Sequence, residues 1–324
     1  MRCVVFTGAG GNEVVELVER PDPVPGTQDV LVRVRFAGLN PADVIQRAGR
    51  YPAPPGAPAD VPGLEVSGRV EAGGEGVTAW APGDRVFGLV AGGGLADRVC
   101  VHERCVTRVP DVLDEHEAAA VPEAFITAHD AVAVQAGLRP GEVLLVHGAA
   151  GGVGSAACQI GTSLGARVFG TVRSQAAREA VEALGAEAVG DDGFAAAVLE
   201  RTDGRGADVV LELVGAPHFP GNLEALAVKG RIVIVGVGAG QEVSLPLLAL
   251  MGKRATLRGT VLRARPLEEK GTAVRAFERE VVPGLASGLI RPLVDSVFPA
   301  EEIRAAFDRL EGRGKLGKVL IEFP

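Results

Sequence analysis

The chain has 324 residues, a net charge of −8 and a hydrophobic fraction of 47%. That length accommodates two domains with cores of their own, and the apolar content excludes a disordered chain. The acidic balance argues against a nucleic-acid-binding or anionic-membrane surface.

The first residues, MRCVVFTGAGG, lack a charged segment followed by a long apolar run, so no export signal is expected. No stretch approaches about eighteen uninterrupted apolar residues, which excludes a membrane-spanning helix. Cys3, Cys100, Cys105 and Cys158 show no metal-ligand spacing and are expected as reduced thiols in a cytoplasmic protein.

Residues 1–120 read as mostly β. Val30, Val32, Val34 and Phe36 alternate with Leu31, Arg33 and Arg35, the period of a half-buried strand. Further strands are predicted at Arg2–Phe6, Val14–Val18, Val66–Glu71, Arg85–Leu89 and Ala96–Val101, with Gly and Pro between them. One helix is predicted over Pro41–Ala48, with Asn40 at its N-cap and Pro41 in its first position. The loop that follows, Tyr51 to Pro62, carries five prolines and should be extended and semi-rigid.

From Asp114, which forms a capping-box pattern with Glu117, the texture becomes α/β. Val143–Val146 is a buried parallel strand, Gly148–Gly154 a glycine-rich turn, Ser155–Leu164 a helix and Arg167–Val172 a second strand. This is the first half of a dinucleotide-binding unit, in which a pyrophosphate approaches backbone N–H groups at a helix N-terminus. The fingerprint is Ala149, Gly151 and Gly154, with Gly152 and Val153 completing the turn; the strand before it and the helix after it give it weight.

The end of the second strand bears on the coenzyme. An NAD site usually places an acid about twenty residues beyond the fingerprint. Here Arg173 and Ser174 follow Val172, Arg178 lies one turn on, and the first acid is Glu179. That pattern favours a 2′-phosphate and hence NADPH. Strands are predicted again at Ala207–Val214, Arg231–Gly236 and Thr256–Val261, with a helix over Ala216–Ala227 closed by a Lys229–Gly230 turn. Strands alternating with helices predict a doubly wound parallel sheet. Val294–Phe298, a helix at Ala300–Leu310 and a strand at Lys318–Phe323 should return to the first domain. The predicted division is 1–120, completed by 290–324, and 121–289 as the nucleotide domain.

His147 is expected to be a packed core residue, and His129 lies near Thr127. His102, His116 and His218 read as surface residues. No Ser-His-Asp pattern is present.

The order of GLNPADVIQRAGRYPAPPG (38–56), PGLEVSGRV (62–70), GDRVFGL (83–89), VPEAFITAHDA (121–131), HGAAGGVG (147–154), LRGTVLRAR (257–265) and GKLGKVLIEFP (314–324) resembles the medium-chain dehydrogenase/reductase superfamily along the whole chain. Within it the chain is similar to the zinc-free quinone oxidoreductases, most of all the branch of the p53-inducible enzyme. The resemblance implies a GroES-like β domain beside a Rossmann domain. It departs from the zinc-dependent alcohol dehydrogenases, which carry a Cys ligand where Asn40 stands and a His where Leu64 stands. No metal is therefore expected; Glu65 reads as an ion pair or backbone contact.

Without a Lewis acid, the accessible chemistry is hydride transfer to an acceptor that stabilises negative charge itself. A quinone is the first expectation, and an α,β-unsaturated ketone or thioester, as in an enoyl reductase, the alternative. A third reading, an NADPH-binding protein without catalysis, is disfavoured by the complete fingerprint. By resemblance, Asn40 and Tyr51 line the substrate site and Thr127 contacts the cofactor. Tyr51 reads either as a hydrogen-bond or proton donor or as a loop aromatic packed on the prolines. Asn40 can cap its helix and face the substrate. Val214, Gly215, Gly236 and Gly238 are expected along the nicotinamide ribose; Arg263 and Lys315 are cofactor candidates or solvated bases. A homodimer through the edge strand around Leu257–Val261 is implied as well.

Overall fold

In a computed structural model, residues 1–324 are all described. They divide into two compact units, Met1–Ile126 with Leu262–Pro324, and Thr127–Val261.

The first unit begins with β1 (Arg2–Phe6), β2 (Val15–Glu19), β3 (Asp29–Gly38), β4 (Glu65–Gly73), β5 (Arg85–Leu89), β6 (Arg98–His102) and β7 (Val106–Arg108). The second contains β8 (Val143–Val146), β9 (Arg167–Val172), β10 (Glu187–Gly190), β11 (Ala207–Glu212), β12 (Leu226–Ile234) and β13 (Thr256–Gly259). The tail supplies β14 (Val294–Pro299) and β15 (Lys318–Glu322) to the first unit.

In the first unit, β1 and β2 form an antiparallel ribbon, and a larger sheet runs β14-β15-β3-β4-β5-β7, with β6 also pairing with β3. Alternation decides which face is inward: Val30, Val32 and Val34 of β3 are buried, and they join Val66, Val70 and Val86 in one core. The helix Ile303–Glu311 closes that core with Ile303, Ala306, Phe307 and Leu310, positions three and four apart on one face.

The second unit is a six-stranded sheet in the order β10-β9-β8-β11-β12-β13, with every neighbouring pair parallel. Its strands are nearly continuous apolar runs because helices bury both faces, as with Val143 to Val146. The strand order reverses at β8 and β11, the place where such sheets bind nucleotides beyond the carboxyl ends of the strands.

Several sequence-based expectations about the elements differ from the structure. The helix expected over Ala216–Ala227 is a 3-10 turn at Ala216–His218 and a short helix at Phe219–Ala225. Lys229 and Gly230 do not end it but form an irregularity inside β12. Ala207 faces Leu226 while Val209 faces Arg231, so the extra residues bulge out and Lys229 takes a positive φ of 66°. Residues before β2 form a 3-10 turn at Asn12–Val14. Finally, the chain rejoins the first unit at Leu262 rather than near 290, because the helix Leu267–Glu280 packs Phe277 against Phe87. No helix is long and apolar enough to cross a membrane.

Candidate active site

The glycine turn of the second unit is shaped by two requirements. Gly148, directly after His147, adopts a positive φ of 59°, which turns the chain off β8. At Gly154 a Cβ would lie 2.3 Å from the Gly148 carbonyl oxygen, so only glycine lets the helix Gly152–Ser163 start this close to the strand. The helix begins three residues earlier than its apolar run suggests, and no side chain caps it. Its first-turn N–H groups, over Gly152, Val153 and Gly154, are left for an external acceptor. Ala149 is buried beneath the turn. An open helix end above a cradle that a side chain would fill fits a dinucleotide pyrophosphate.

Beyond β11, the Glu212 carboxylate accepts hydrogen bonds from the N–H groups of Val214 (2.7 Å) and Gly215 (2.8 Å). The following loop is tied to it: Ala216 donates to the carbonyl of Gly240 and Ala239 to that of Val214. Gly236 lies where this pair of loops starts, and Gly238 has open space around it. The fold thus brings Val214, Gly215, Gly236 and Gly238 to the carboxyl end of the same sheet as the glycine turn. Thr127, at the start of this unit, is buried with its hydroxyl unpartnered.

A pocket at the end of β9 is lined by Arg173, Ser174 and Arg178 on one side and by Asp191 and Asp192 on the other. The Ser174 hydroxyl oxygen caps its own helix by accepting from Ala177 N–H. The Arg178 guanidinium donates to the Ala188 carbonyl at 2.7 Å and pairs with Glu182. Arg173 is exposed and is the cation of this pocket with no bond to a neighbouring side chain. Asp191 leans away, 3.2 Å from His218 Nε2.

The first unit holds a buried polar cluster. Glu65, at the start of β4, is ion-paired with Lys318 of β15. Its Oε1 also accepts from the Asn40 amide (2.9 Å), and its Oε2 from Glu123 N–H (2.8 Å). Lys318 Nζ donates further to the Leu39 carbonyl (2.8 Å) and to Asn40 Oδ1 (2.6 Å). Asn40 therefore stands at the N-cap of helix Pro41–Arg47, but its amide is turned to Glu65 and Lys318. Asp43, three residues on, supplies the return half of the capping box, its carboxylate accepting from Asn40 N–H at 2.8 Å and also from Gly63 N–H at 3.1 Å. Burial pushes the Asp43 carboxyl up to about 6. Glu123 is raised to about 8, first by burial and then by the neighbouring Glu65 carboxylate.

Tyr51 packs its ring under Arg263, whose guanidinium carbon is 5.1 Å from the ring centroid. Arg263 is buried; its Nε donates to the Ala91 carbonyl (2.8 Å) and its Nη2 to Gln46 (2.7 Å), while Nη1 has no partner. Tyr51 is half-buried, and burial raises its hydroxyl. The structure thus groups Arg263 with Tyr51 in the first unit. Lys315 is half-buried near Lys318, and burial lowers its ammonium to about 8.

Sequence reasoning did not single out Glu123, Lys318 or Asp43. The signal for Glu123 is one acid inside an otherwise apolar helix, and for Lys318 a lysine opening a buried strand. His218, expected at the surface, is buried with 7% exposure, because it is enclosed by His147, Phe194, Asp191 and Glu212. His147 is fully buried as expected, and burial lowers its imidazole to about 3, keeping it neutral.

A GroES-like β unit joined to a parallel nucleotide-binding sheet defines a pyridine-nucleotide-dependent oxidoreductase. Residues 26–111 match the model of the alcohol dehydrogenase GroES-like domain and residues 152–279 that of the zinc-binding dehydrogenases. Quinone oxidoreductase of Lama guanicoe is 32% identical, over 99% of this chain and 97% of its own. A mycobacterial protein solved in complex with NADPH superposes with a TM-score of 0.90 at 29% identity, with 100% of both chains covered. The CurK enoyl reductase superposes with a TM-score of 0.89 at 28% identity, covering 100% of this chain and 99% of that one. The chain belongs to the quinone oxidoreductase family of the medium-chain dehydrogenase/reductase superfamily.

The buried pair carries a measurable cost when broken. Lys318→Met leaves the Glu65 carboxylate without its cation and is expected to destabilise the protein by about 3–5 kcal/mol in urea unfolding. Adding Glu65→Gln should restore most of that loss. If the double variant is as unstable as the single one, the pair is not what Lys318 contributes.

Proposed function

We propose that this protein is an NADPH-dependent quinone oxidoreductase that works without zinc. The observation that carries this reading is the cluster around Asn40. Where zinc-dependent relatives offer thiolate and imidazole, this chain has Asn40 and Leu64. Both amide atoms of Asn40 and both oxygens of Glu65 are engaged by protein partners. An amide and a hydrocarbon are poor zinc ligands. The acceptor must then hold its own developing charge, and a quinone does so by becoming an aromatic hydroquinone anion. NADPH, when bound, supplies the hydride.

The chain's own residues provide the remainder. The helix at Gly152 holds the pyrophosphate, and Arg173 with the Ser174 hydroxyl faces the 2′-phosphate. Hydride transfer leaves a hydroquinone oxygen that needs one proton. Glu123, kept protonated to about pH 8, and the Tyr51 hydroxyl are the groups we assign to deliver it, with Arg263 Nη1 free to donate to a cofactor or substrate oxygen. Asn40 is a positioning residue, locked by Glu65 and Lys318. Thr127, Val214, Gly215, Gly236 and Gly238 complete the cofactor contacts in this reading, and Lys315 adds positive potential.

NADPH oxidation by ortho- and para-quinones, compared with oxidation by crotonyl-CoA and a simple enone, tests the assignment. Turnover with the quinones and not with the enoyl compounds is expected. The reverse selectivity would make the chain an enoyl reductase, as its likeness to CurK allows. In the same assay, Arg173→Ala should raise the Michaelis constant for NADPH about tenfold or more and leave that for NADH unchanged, because one charge-assisted bond to the 2′-phosphate contributes about 1.5–3 kcal/mol. Equal effects on both coenzymes would remove Arg173 from the site.

The assignment of Glu123 is visible against pH. Its pKa is raised above the unfolded value, so the folded state holds the proton through the window from about 4.5 to 8. Stability should therefore fall as pH rises across that window, and the proton donor should be lost above its upper end. Glu123→Gln is expected to flatten the decline in Tm between pH 5 and 8.5 and to remove an alkaline limb near pH 8 from kcat. An alkaline limb that persists unchanged in the variant would assign it to another group.

We further propose a homodimer. Strand β13 is the outermost strand of its sheet, and Leu247, Leu248 and Met251 of the helix before it are exposed. Light scattering after size exclusion should give twice the chain mass, reduced to one in a Leu248→Glu/Met251→Lys variant. A wild-type monomer at micromolar concentration would end this proposal.

A further inference from the structure

A separate constellation lies inside the second unit, at the carboxyl ends of β8 and β11. His147 ends β8, Glu212 ends β11, and His218 lies in the 3-10 turn that follows. Their facing donor atoms all fall within 4.8 Å of one another, and all three residues are buried. His147 Nε2 is 3.8 Å from Glu212 Oε2, and His218 Nδ1 is 3.9 Å from Glu212 Oε1. Two bonds of about 2.0–2.2 Å at a tetrahedral angle separate donor atoms by about 3.3–3.6 Å, so a contraction of up to about 1.5 Å from separations within 4.8 Å would bring the three onto one ion.

The outer atoms of both rings are already held. His218 Nε2 faces Asp191 at 3.2 Å, which places its proton there and leaves Nδ1 with a lone pair. That Nδ1 is buried, has no hydrogen-bond partner and is directed at Glu212. His147 Nδ1 lies 3.3 Å from the Thr171 hydroxyl. Phe194 meets both imidazoles edge-on and shields the group from water. An orphaned lone pair in a buried site costs free energy, and a cation would satisfy it.

We propose that His147, Glu212 and His218 form a binding site for a divalent transition metal of zinc type, distinct from the Asn40 cluster in the other unit. Two imidazoles and one carboxylate are a donor set suited to zinc or cobalt rather than to magnesium or calcium. Asn222 occupies the fourth corner: its Oδ1 lies 2.6 Å from His147 Nε2 and its Nδ2 donates to Glu212 Oε2. Metal uptake moves the His147 proton from Nε2 to Nδ1, where Thr171 Oγ accepts it. It also swings the Asn222 amide so that its oxygen, or a water, completes the tetrahedron. Glu212 Oε1 keeps the Val214 and Gly215 N–H groups, so the site sits beneath the loop assigned to the cofactor.

The test is metal binding by the full-length protein, independent of turnover. Chelator-treated protein is titrated with Co2+ and then with Zn2+. One equivalent of cobalt should bind with the intense visible bands of four-coordinate geometry, and zinc should displace it. His218→Ala should weaken cobalt binding about 100-fold or more, and Asp191→Asn, which touches only the outer nitrogen, about tenfold. Zinc should raise the Tm of the wild type and not that of His218→Ala. The Asp191 variant decides the matter if His218→Ala does not fold. Absence of a stoichiometric four-coordinate spectrum, or binding equally strong in the variants, overturns the proposal.

Discussion

Lys318 and Glu65 meet where neither can reach water, and the pair constrains everything around it. An ammonium buried at 5% exposure and a carboxylate at 0% are tolerable only if each finds several partners. Lys318 takes the Leu39 carbonyl and the Asn40 amide oxygen besides Glu65. Glu65 takes the Asn40 amide and the Glu123 backbone N–H. These demands fix the start of one helix, the start of another and two strands of the larger sheet to one point. They also commit both amide atoms of Asn40 to buried partners, which suits that side chain to hold its place rather than to react. At the same point, burial and the Glu65 charge raise the Glu123 carboxyl rather than lowering it. One negative charge, on Glu65, is stabilised by the lysine, and that charge in turn disfavours a second one on Glu123.

The second unit solves an opposite problem. Its ligand is expected to bring negative charge, and the fold offers unpaired N–H groups and one exposed arginine instead of a buried cation. Glycine at 154 permits the close approach of helix and strand, and Glu212 pins the neighbouring loop by two N–H groups. The positions that touch backbone are small, while the charged positions lie at the pocket rim, where solvent screens them.

Local patterns reveal as much of this as depends on local patterns. Val143–Val146 and Arg167–Val172 have the ends expected from their sequence, because a short β-branched run bounded by glycine and charge has little choice in a buried parallel sheet. The glycine turn between them was equally plain. Lys229–Gly230 misleads, since that dipeptide is ordinary turn chemistry and only the pairing with β11 makes it a bulge. Asn40 was legible as a helix start, but its side-chain partners stand 25 and 278 residues away, and no periodicity reports such a distance. His218 is buried because the 3-10 turn Ala216–His218 folds inward onto Glu212, a long-range contact that no local pattern reports.

The first unit is assembled from both ends of the chain, with β15 lying between β14 and β3 and Leu320 opposite Gly38. A chain emerging from the ribosome therefore completes the whole of Thr127–Val261 while its earlier unit still lacks an interior strand and the partner of Glu65. The contiguous unit has every strand it needs; the split one must wait, with the Phe36–Gly38 end of β3 unpaired along one edge beyond β6, until β15 is made. Order of synthesis and order of consolidation are thus reversed in this molecule. The N-terminal unit, made first, is finished last.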